Sequence, residues 1–400
     1  MPFGLSLLCT QFPLPAYRTT AADPVLSLRK WGINSGNQTV SYQKWSPPDL
    51  VPLPQNTFGI TRAESGCGRL RFCYILNQID VLPFPLVQIM LPCITTLARP
   101  AFSPIHNIRA MSSFSRLVRF VPKSSSTPLI GEPVNADLDV GLAAYESKPI
   151  EIEVFSGTSV LEPGEKTGKK EIVERLLSPL AQSEVGTIRC IGLNYVNHAK
   201  EVNLPMPDIP TLFMKPSTSL ADPFPSPTII PKAFVASNSA DFESEVAFVI
   251  GKDAKNVSEE EALHYVLGFT AANDVSSREA QFAQSQWCYS KSFDGACPIG
   301  PALVNKNQAS KFSDVKIEGS LNGKTVQSSR LDDLIFSVPK IISFLSQGTT
   351  LPAGTIIITG TPAGVGWSST PRITLKDGDE FRVFVSHGVG TLINKIVEEK

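Results

Sequence analysis

The sequence predicts a mostly β protein with short helices, and three observations carry that expectation. Apolar residues recur at every second position in run after run, as in Val246, Phe248 and Ile250. Asn322-Gly323 stands between two extended runs, which is a tight-hairpin signal. Segments with a helical period are brief, such as V-P-K-I-I-S-F-L from Val338 to Leu345.

Four hundred residues with 42% hydrophobic content can build two or three domains with ordinary cores. The net charge of −1 supports neither a nucleic-acid partner nor a membrane surface. That total is uneven: residues 1–110 hold nine Lys and Arg against four Asp and Glu, so +5, and the remainder carries −6. Seven cysteines (9, 67, 73, 93, 190, 288 and 297) form no C-x-x-C pair. Such a scattered, odd set suits reduced thiols inside a cell, so a cytoplasmic location is expected. A mitochondrial one stays open, although no convincing presequence is visible.

Residues 1–110 contain thirteen of the 33 prolines and no sustained period. The most apolar part, Val81 to Ala98, is interrupted by Pro83, Pro85 and Pro92, so no membrane span is expected there. This stretch reads as a Pro-rich disordered extension or a gene-model artefact, with Met111 as a candidate authentic start. Residues 111–185 read as a small mixed lead-in domain. R-L-V-R-F-V and I-E-I-E-V-F alternate like strands, and E-K-T-G-K-K-E-I-V-E-R-L-L-S-P-L reads as a short amphipathic helix ended by Pro179.

The catalytic part spans residues 186–400. A strand from Ile188 to Ile191 leads through Gly192 into a short helical segment, where His198 and Glu201 stand at i and i+3. A carboxylate beside an imidazole fixes its tautomer and raises its basicity, although most such pairs are surface pairs. Lys215 in F-M-K-P-S-T-S can offer a cation to an anionic ligand, the commoner meaning being a solvated loop lysine. T-I-I-I-T-G-T-P-A-G-V-G-W joins a buried strand to a glycine-rich turn that lacks the G-K-[ST] ending of a phosphate loop. Its backbone N–H groups can hold a carboxylate or an enolate oxygen.

The centre of the chain is Asp241 to Pro298. In D-F-E-S-E-V-A-F-V-I-G-K, Glu243 and Glu245 are two apart on a strand and so point the same way. Asp274 closes the next apolar run, Val266 to Ala272. Three carboxylates with no Cys or His partner suit a hard cation, Mg²⁺, Mn²⁺ or Ca²⁺. An E-x-E on a strand is, taken alone, more often a solvated face. Cys288 and Cys297 flank this stretch and are expected to be inert buried thiols, and His264 and His387 to be structural.

With N-Y-V-N-H-A-K-E, F-M-K-P-S-T-S, E-S-E-V-A-F-V-I-G-K, N-D-V-S-S-R-E-A-Q, Q-W-C-Y-S-K-S-F-D, C-P-I-G-P and T-G-T-P-A-G-V-G in this order, the chain from Ile188 onward resembles the fumarylacetoacetate hydrolase family. Within that family it is most similar to the acylpyruvate hydrolase, oxaloacetate decarboxylase and oxaloacetate tautomerase branch. The resemblance implies a flattened β-roll, a homodimer, and Mg²⁺ or Mn²⁺ held by Glu243, Glu245 and Asp274. It implies Lys291 as the cation beside the substrate, His198 with Glu201 as a water-activating pair on a mobile lid, and Arg278, Gln281 and Thr361 as substrate contacts. Two departures from the family pattern, Glu279 and Gly295, bear on substrate choice more than on the metal.

The chemistry then expected acts on small 2-oxo or 2,4-dioxo acids. Charge develops on an oxygen beside a dication and Lys291, so an enolate is shared by C–C hydrolysis, decarboxylation and keto–enol tautomerisation. The retained His198 and Glu201 favour hydrolysis. The competing class is a non-catalytic scaffold that holds Ca²⁺ for structure, which leaves Lys291, His198 and the glycine turn without a purpose.

Overall fold

A computed structural model describes residues 114–400. The expectations for residues 1–110 and for Met111 lie outside the described residues. As expected, strands dominate and the helices are short, the longest being Val338–Ser346. That helix starts where the Ser337 side chain accepts from the Lys340 N–H and Pro339 sits in the first turn. Among the described residues no helix is long and apolar enough to cross a membrane.

The main sheet has eleven strands among the described residues, and its central run follows the order Arg116–Pro122, Cys297–Asn305, Val266–Asn273, Ser244–Ile250, Ile356–Ile358, Thr187–Gly192 and Thr211–Pro216. A second sheet of five strands contains Lys324–Arg330, Lys316–Leu321, Glu380–Val385, Gly390–Glu398 and Thr228–Ile230. The turn between the first two holds Asn322 at φ 50° and Gly323 at φ 79°, the double positive-φ geometry that suits a two-residue hairpin.

Period two explains how the sheets stack. From Ser244–Ile250, Val246, Phe248 and Ile250 enter one core with Ile317, Phe381, Val383 and Leu392 of the second sheet. Ala247 and Val249 point the other way, into a core with Ile188, Cys190, Ile356 and Ile358. The Phe242 and Phe381 rings stack at 4.5 Å and tie the two sheets beside the carboxylates.

One expected element is overturned. Residues 166–177 form a strand, Lys166–Leu177, instead of an amphipathic helix. Its Lys, Glu, Arg and Leu content favours a helix, but the chain is paired on both sides, with Glu151–Phe155 and with Arg116–Pro122. Ladder pairing on two edges outweighs a propensity difference of a few tenths of a kcal/mol per residue. Through Arg116, opposite Val304, these lead-in strands join the main sheet.

Candidate active site

Strand pairing builds the site. Ser244 lies opposite Asn273, and the Asp274 N–H donates to the Glu243 carbonyl at 2.9 Å, so Glu243, Glu245 and Asp274 converge where two strands end. One oxygen from each lies within 4.8 Å of the others, and all three residues are buried. Lys291, at the end of the helix Cys288–Lys291, reaches Glu243 Oε2 at 2.7 Å and Asp274 Oδ2 at 2.9 Å. Its ammonium also stands 5.1 Å from the centre of the Phe213 ring. Arg278 opens the helix Arg278–Ala283; its Nη1 meets Glu243 Oε1 at 2.6 Å and Gln281 Oε1 at 2.9 Å.

Burial alone would raise the Glu243 carboxyl, but Lys291 and Arg278 outweigh it and hold it down at about 2. Burial would lower Lys291, and the charges of Asp274 and Glu243 reverse that, so it stays a cation. Glu245 differs: burial first, then Asp274 and Glu243, push it well above the usual carboxylate range. Among the described residues it accepts a single hydrogen bond, from the Gly360 N–H at 2.6 Å.

This imbalance fits a divalent cation. Four buried carboxylates (Asp241, Glu243, Glu245 and Asp274) face three buried cations (Lys215, Lys291 and Arg278). The donor set is oxygen only, and a carboxylate oxygen paired with a lysine keeps a lone-pair direction for a metal. Arg278 Nη2 is buried without a protein partner among the described residues, a donor left over for a ligand oxygen.

His198 and Glu201 meet on the helix Val196–Glu201, with Nδ1 and Oε2 2.7 Å apart. A neutral imidazole that donates from Nδ1 keeps Nε2 free as a base. Burial would raise Glu201, but bonds from His198, from the Ser368 hydroxyl and from the Gly364 N–H lower it below its ordinary value. Thr361 is buried, and its Oγ1 accepts from Gln327 Nε2 at 2.7 Å. Thus Glu243, Glu245, Asp274, Lys291, Arg278 and Gln281 form one cluster, with the His198–Glu201 pair and Thr361 at the glycine turn beside it. Glu279 is exposed on its helix.

Several participants are not evident from the sequence. Lys215 is not a solvated loop lysine: it is fully buried in the strand Thr211–Pro216, 2.6 Å from Asp274 Oδ1, and bonds the carbonyls of Lys291 and Ala296. The anion it meets belongs to the protein. Asp241 accepts from Arg278 Nε and from the N–H groups of Gly366 and Trp367, each at 2.9 Å. Its place two residues before Glu243, in the same alternation, is the signal that points to it. The glycine-turn N–H groups likewise hold protein carboxylates: Gly360 holds Glu245, Gly364 holds Glu201, and Gly366 and Trp367 hold Asp241. Cys297 is buried and its thiol is pushed up to about 12, which leaves it protonated and inert at neutral pH.

The fumarylacetoacetate (FAA) hydrolase C-terminal family matches residues 187–397. The chain belongs to the fumarylacetoacetate hydrolase family. Among its relatives, caffeoylpyruvate hydrolase of Neonothopanus nambi is 47% identical over 296 residues, 72% of this chain and 95% of that protein. A mitochondrial oxaloacetate tautomerase of Xenopus laevis is 37% identical over 307 residues, 74% of this chain and 94% of its own. The fold agrees with solved structures of the family. Fumarylacetoacetate hydrolase from Exiguobacterium antarcticum has a TM-score of 0.59 at 28% identity, over 71% of this chain and all of that one. The 2-hydroxyhepta-2,4-diene-1,7-dioate isomerase of Mycobacterium marinum has 0.58 at 30% identity, over 72% and 99%. The family is enzymatic, and its members here include hydrolases, tautomerases and isomerases of oxo acids and their enols.

Proposed function

We propose that this protein is a divalent-metal-dependent hydrolase that cleaves 2,4-dioxo acids of the acylpyruvate type into a carboxylic acid and pyruvate. The observation that carries the reading is the His198–Glu201 pair, with Nδ1 and Oε2 2.7 Å apart. Tautomerisation needs no activated water, whereas hydrolysis does. Glu243, Glu245 and Asp274 would hold Mg²⁺ or Mn²⁺. When bound, the ion polarises the 2-oxo group and offsets charge that develops on its oxygen.

The chain's own residues then have distinct tasks. Arg278, through its spare Nη2, and Gln281 orient the substrate oxygens, with Thr361 at the turn. His198 Nε2 takes a proton from water, and Glu201 stabilises the imidazolium that forms. The water oxygen adds to the 4-oxo carbon, the bond between C3 and C4 breaks, and its electron pair leaves as pyruvate enolate. Lys291 stands by as the fixed cation for that charge, and a proton returned to C3 completes pyruvate.

A second reading is oxaloacetate keto–enol tautomerase, favoured by relatives at 37% identity that carry this name. The mitochondrial label of those relatives supports an intracellular setting, and we read the active form as a homodimer. Within the hydrolytic reading an aromatic acyl group is the finer choice. Phe282 lies one turn beyond Arg278 on the same helix, is 66% exposed, and packs its ring 5.5 Å from Trp367. The named substrate of the Neonothopanus relative, an aryl-bearing acylpyruvate, agrees with this.

The test is NMR of the purified protein with Mg²⁺ or Mn²⁺, given an acylpyruvate and oxaloacetate separately, with EDTA as control. Acid plus pyruvate from the acylpyruvate supports the hydrolase. Faster enol–keto exchange of oxaloacetate with every acylpyruvate intact would replace it with the tautomerase.

A further inference from the structure

Glu201 is the point at which the lid pair is fastened to the glycine turn. The helix that carries it, Val196–Glu201, has six residues, too few to be stable alone. Glu201 is also long and flexible, so its carboxylate needs outside partners to hold one rotamer. The two oxygens divide that work. Oε2 meets His198 Nδ1, while Oε1 accepts from the Gly364 N–H at 2.9 Å and from Ser368 Oγ at 2.6 Å. A further polar tie of this helix to the body is weaker, from the Asn197 N–H to Asp333 Oδ2 at 3.3 Å.

The receiving turn is itself fixed. Asp241 holds the Gly366 and Trp367 N–H groups and is paired with Arg278. Gly364 has φ +108°, and a Cβ there would come within 1.9 Å of the Val326 carbonyl oxygen, so the turn does not accept a side chain at this position. Ser368 adds a feature of its own. Its hydroxyl has one proton and two acceptors, Glu201 Oε1 at 2.6 Å and the Val365 carbonyl at 3.0 Å. If Glu201 leaves, the proton can fall back on Val365, so no hydroxyl is stranded without a partner. A bond that is strong when made and cheap to break suits a lid that must open for each substrate.

We propose that Ser368 is a positioning residue: its hydroxyl, acting with the Gly364 N–H, latches Glu201 and thereby holds His198 in place. It touches neither substrate nor the carboxylate cluster and acts through Glu201 alone. The role deepens the hydrolytic reading above and rests on it for its effect on turnover.

Two measurements on the full-length protein separate the latch from that reading. The first is amide hydrogen exchange over residues 196–204, which needs no turnover. Ser368→Ala should raise exchange there about tenfold, the scale of one hydrogen bond to a charged group, and Ser368→Thr should restore protection. Equal exchange in all three proteins overturns the latch. The second is kinetic. With an acylpyruvate, Ser368→Ala should lower kcat about tenfold with KM changed far less, and should depress oxaloacetate enol–keto exchange much less than C–C cleavage. Rescue by Ser368→Thr is expected. Parallel losses in both reactions, or a lowered melting temperature without a kcat-specific loss, would mark the hydroxyl as merely structural and overturn the role. If the wild type cleaves no acylpyruvate, the hydrolase reading fails, and the exchange result alone decides the latch.

Discussion

Glu243, Glu245 and Asp274 are buried at strand ends and ringed by Lys215, Lys291 and Arg278, whereas His198 and Glu201 stand on a six-residue helix with 12% and 22% of their side chains exposed. The first group is held by backbone pairing and by charge in a low-dielectric setting, where each partner is expensive to remove. The second is held by a few hydrogen bonds at a surface. A fixed floor can bind an oxo acid and stabilise charge in any of the three reactions. A pair held near the surface can decide whether water takes part. On the hydrolytic reading proposed above, the reaction type depends on the less buried region.

The largest effect should come from the floor. Glu243→Gln removes a ligand charge and leaves Arg278 and Lys291 short of a counter-charge. All metal-dependent turnover should fall at least about 10³-fold. Mg²⁺ or Mn²⁺ should raise the thermal midpoint of the wild type and not of the variant. Wild-type activity with Mg²⁺ would remove Glu243 from the ligand set.

Next comes the lid pair. His198→Ala should lower C–C cleavage about 10²-fold and oxaloacetate exchange far less, because only cleavage needs a base for water. Equal losses would place the imidazole in the floor's chemistry and dissolve the division. Lys215→Met tests the floor's rigidity through stability. It leaves Asp274 with Lys291 alone, strands the Lys291 carbonyl and leaves the Ala296 carbonyl with only the Val275 N–H. Chemical denaturation should show a loss of about 3 kcal/mol. An unchanged midpoint would mean that the buried lysine is dispensable.

The same contrast governs what could be read from the sequence. Glu243, Glu245 and Asp274 are legible because period two and an apolar run fix where their side chains point. His198 and Glu201 are legible because i and i+3 on a helix must meet. Lys215 was hidden, since its partner Asp274 is 59 positions away and only pairing across the sheet brings them together. The glycine turn was recognisable as a cluster of N–H donors, but its acceptors, Glu201, Glu245 and Asp241, are remote in sequence, so the turn read as a place for a ligand. Lys166–Leu177 was misread because local composition does not reveal two flanking strands.

The smallest expected effect concerns substrate choice at the outer edge of the floor. Arg278 and Phe282 share one face of a helix, so on the proposed reading a substrate held by the guanidinium would extend its acyl end toward the Phe282 and Trp367 rings. The exposed guanidinium of Arg372 lies 3.7 Å from the Trp367 ring and keeps the indole in place. Contact between aromatic rings is worth about 0.5–1.5 kcal/mol, so Phe282→Ala should reduce the kcat/KM preference for an aryl-acyl over an acetyl substrate by roughly three- to tenfold. The ratio is the useful quantity, because it does not depend on how much of the variant is folded. A ratio equal to that of the wild type would remove Phe282 from substrate choice. It would leave discrimination to the residues around Lys291, where the Phe213 and Trp287 rings meet edge to face at 5.6 Å.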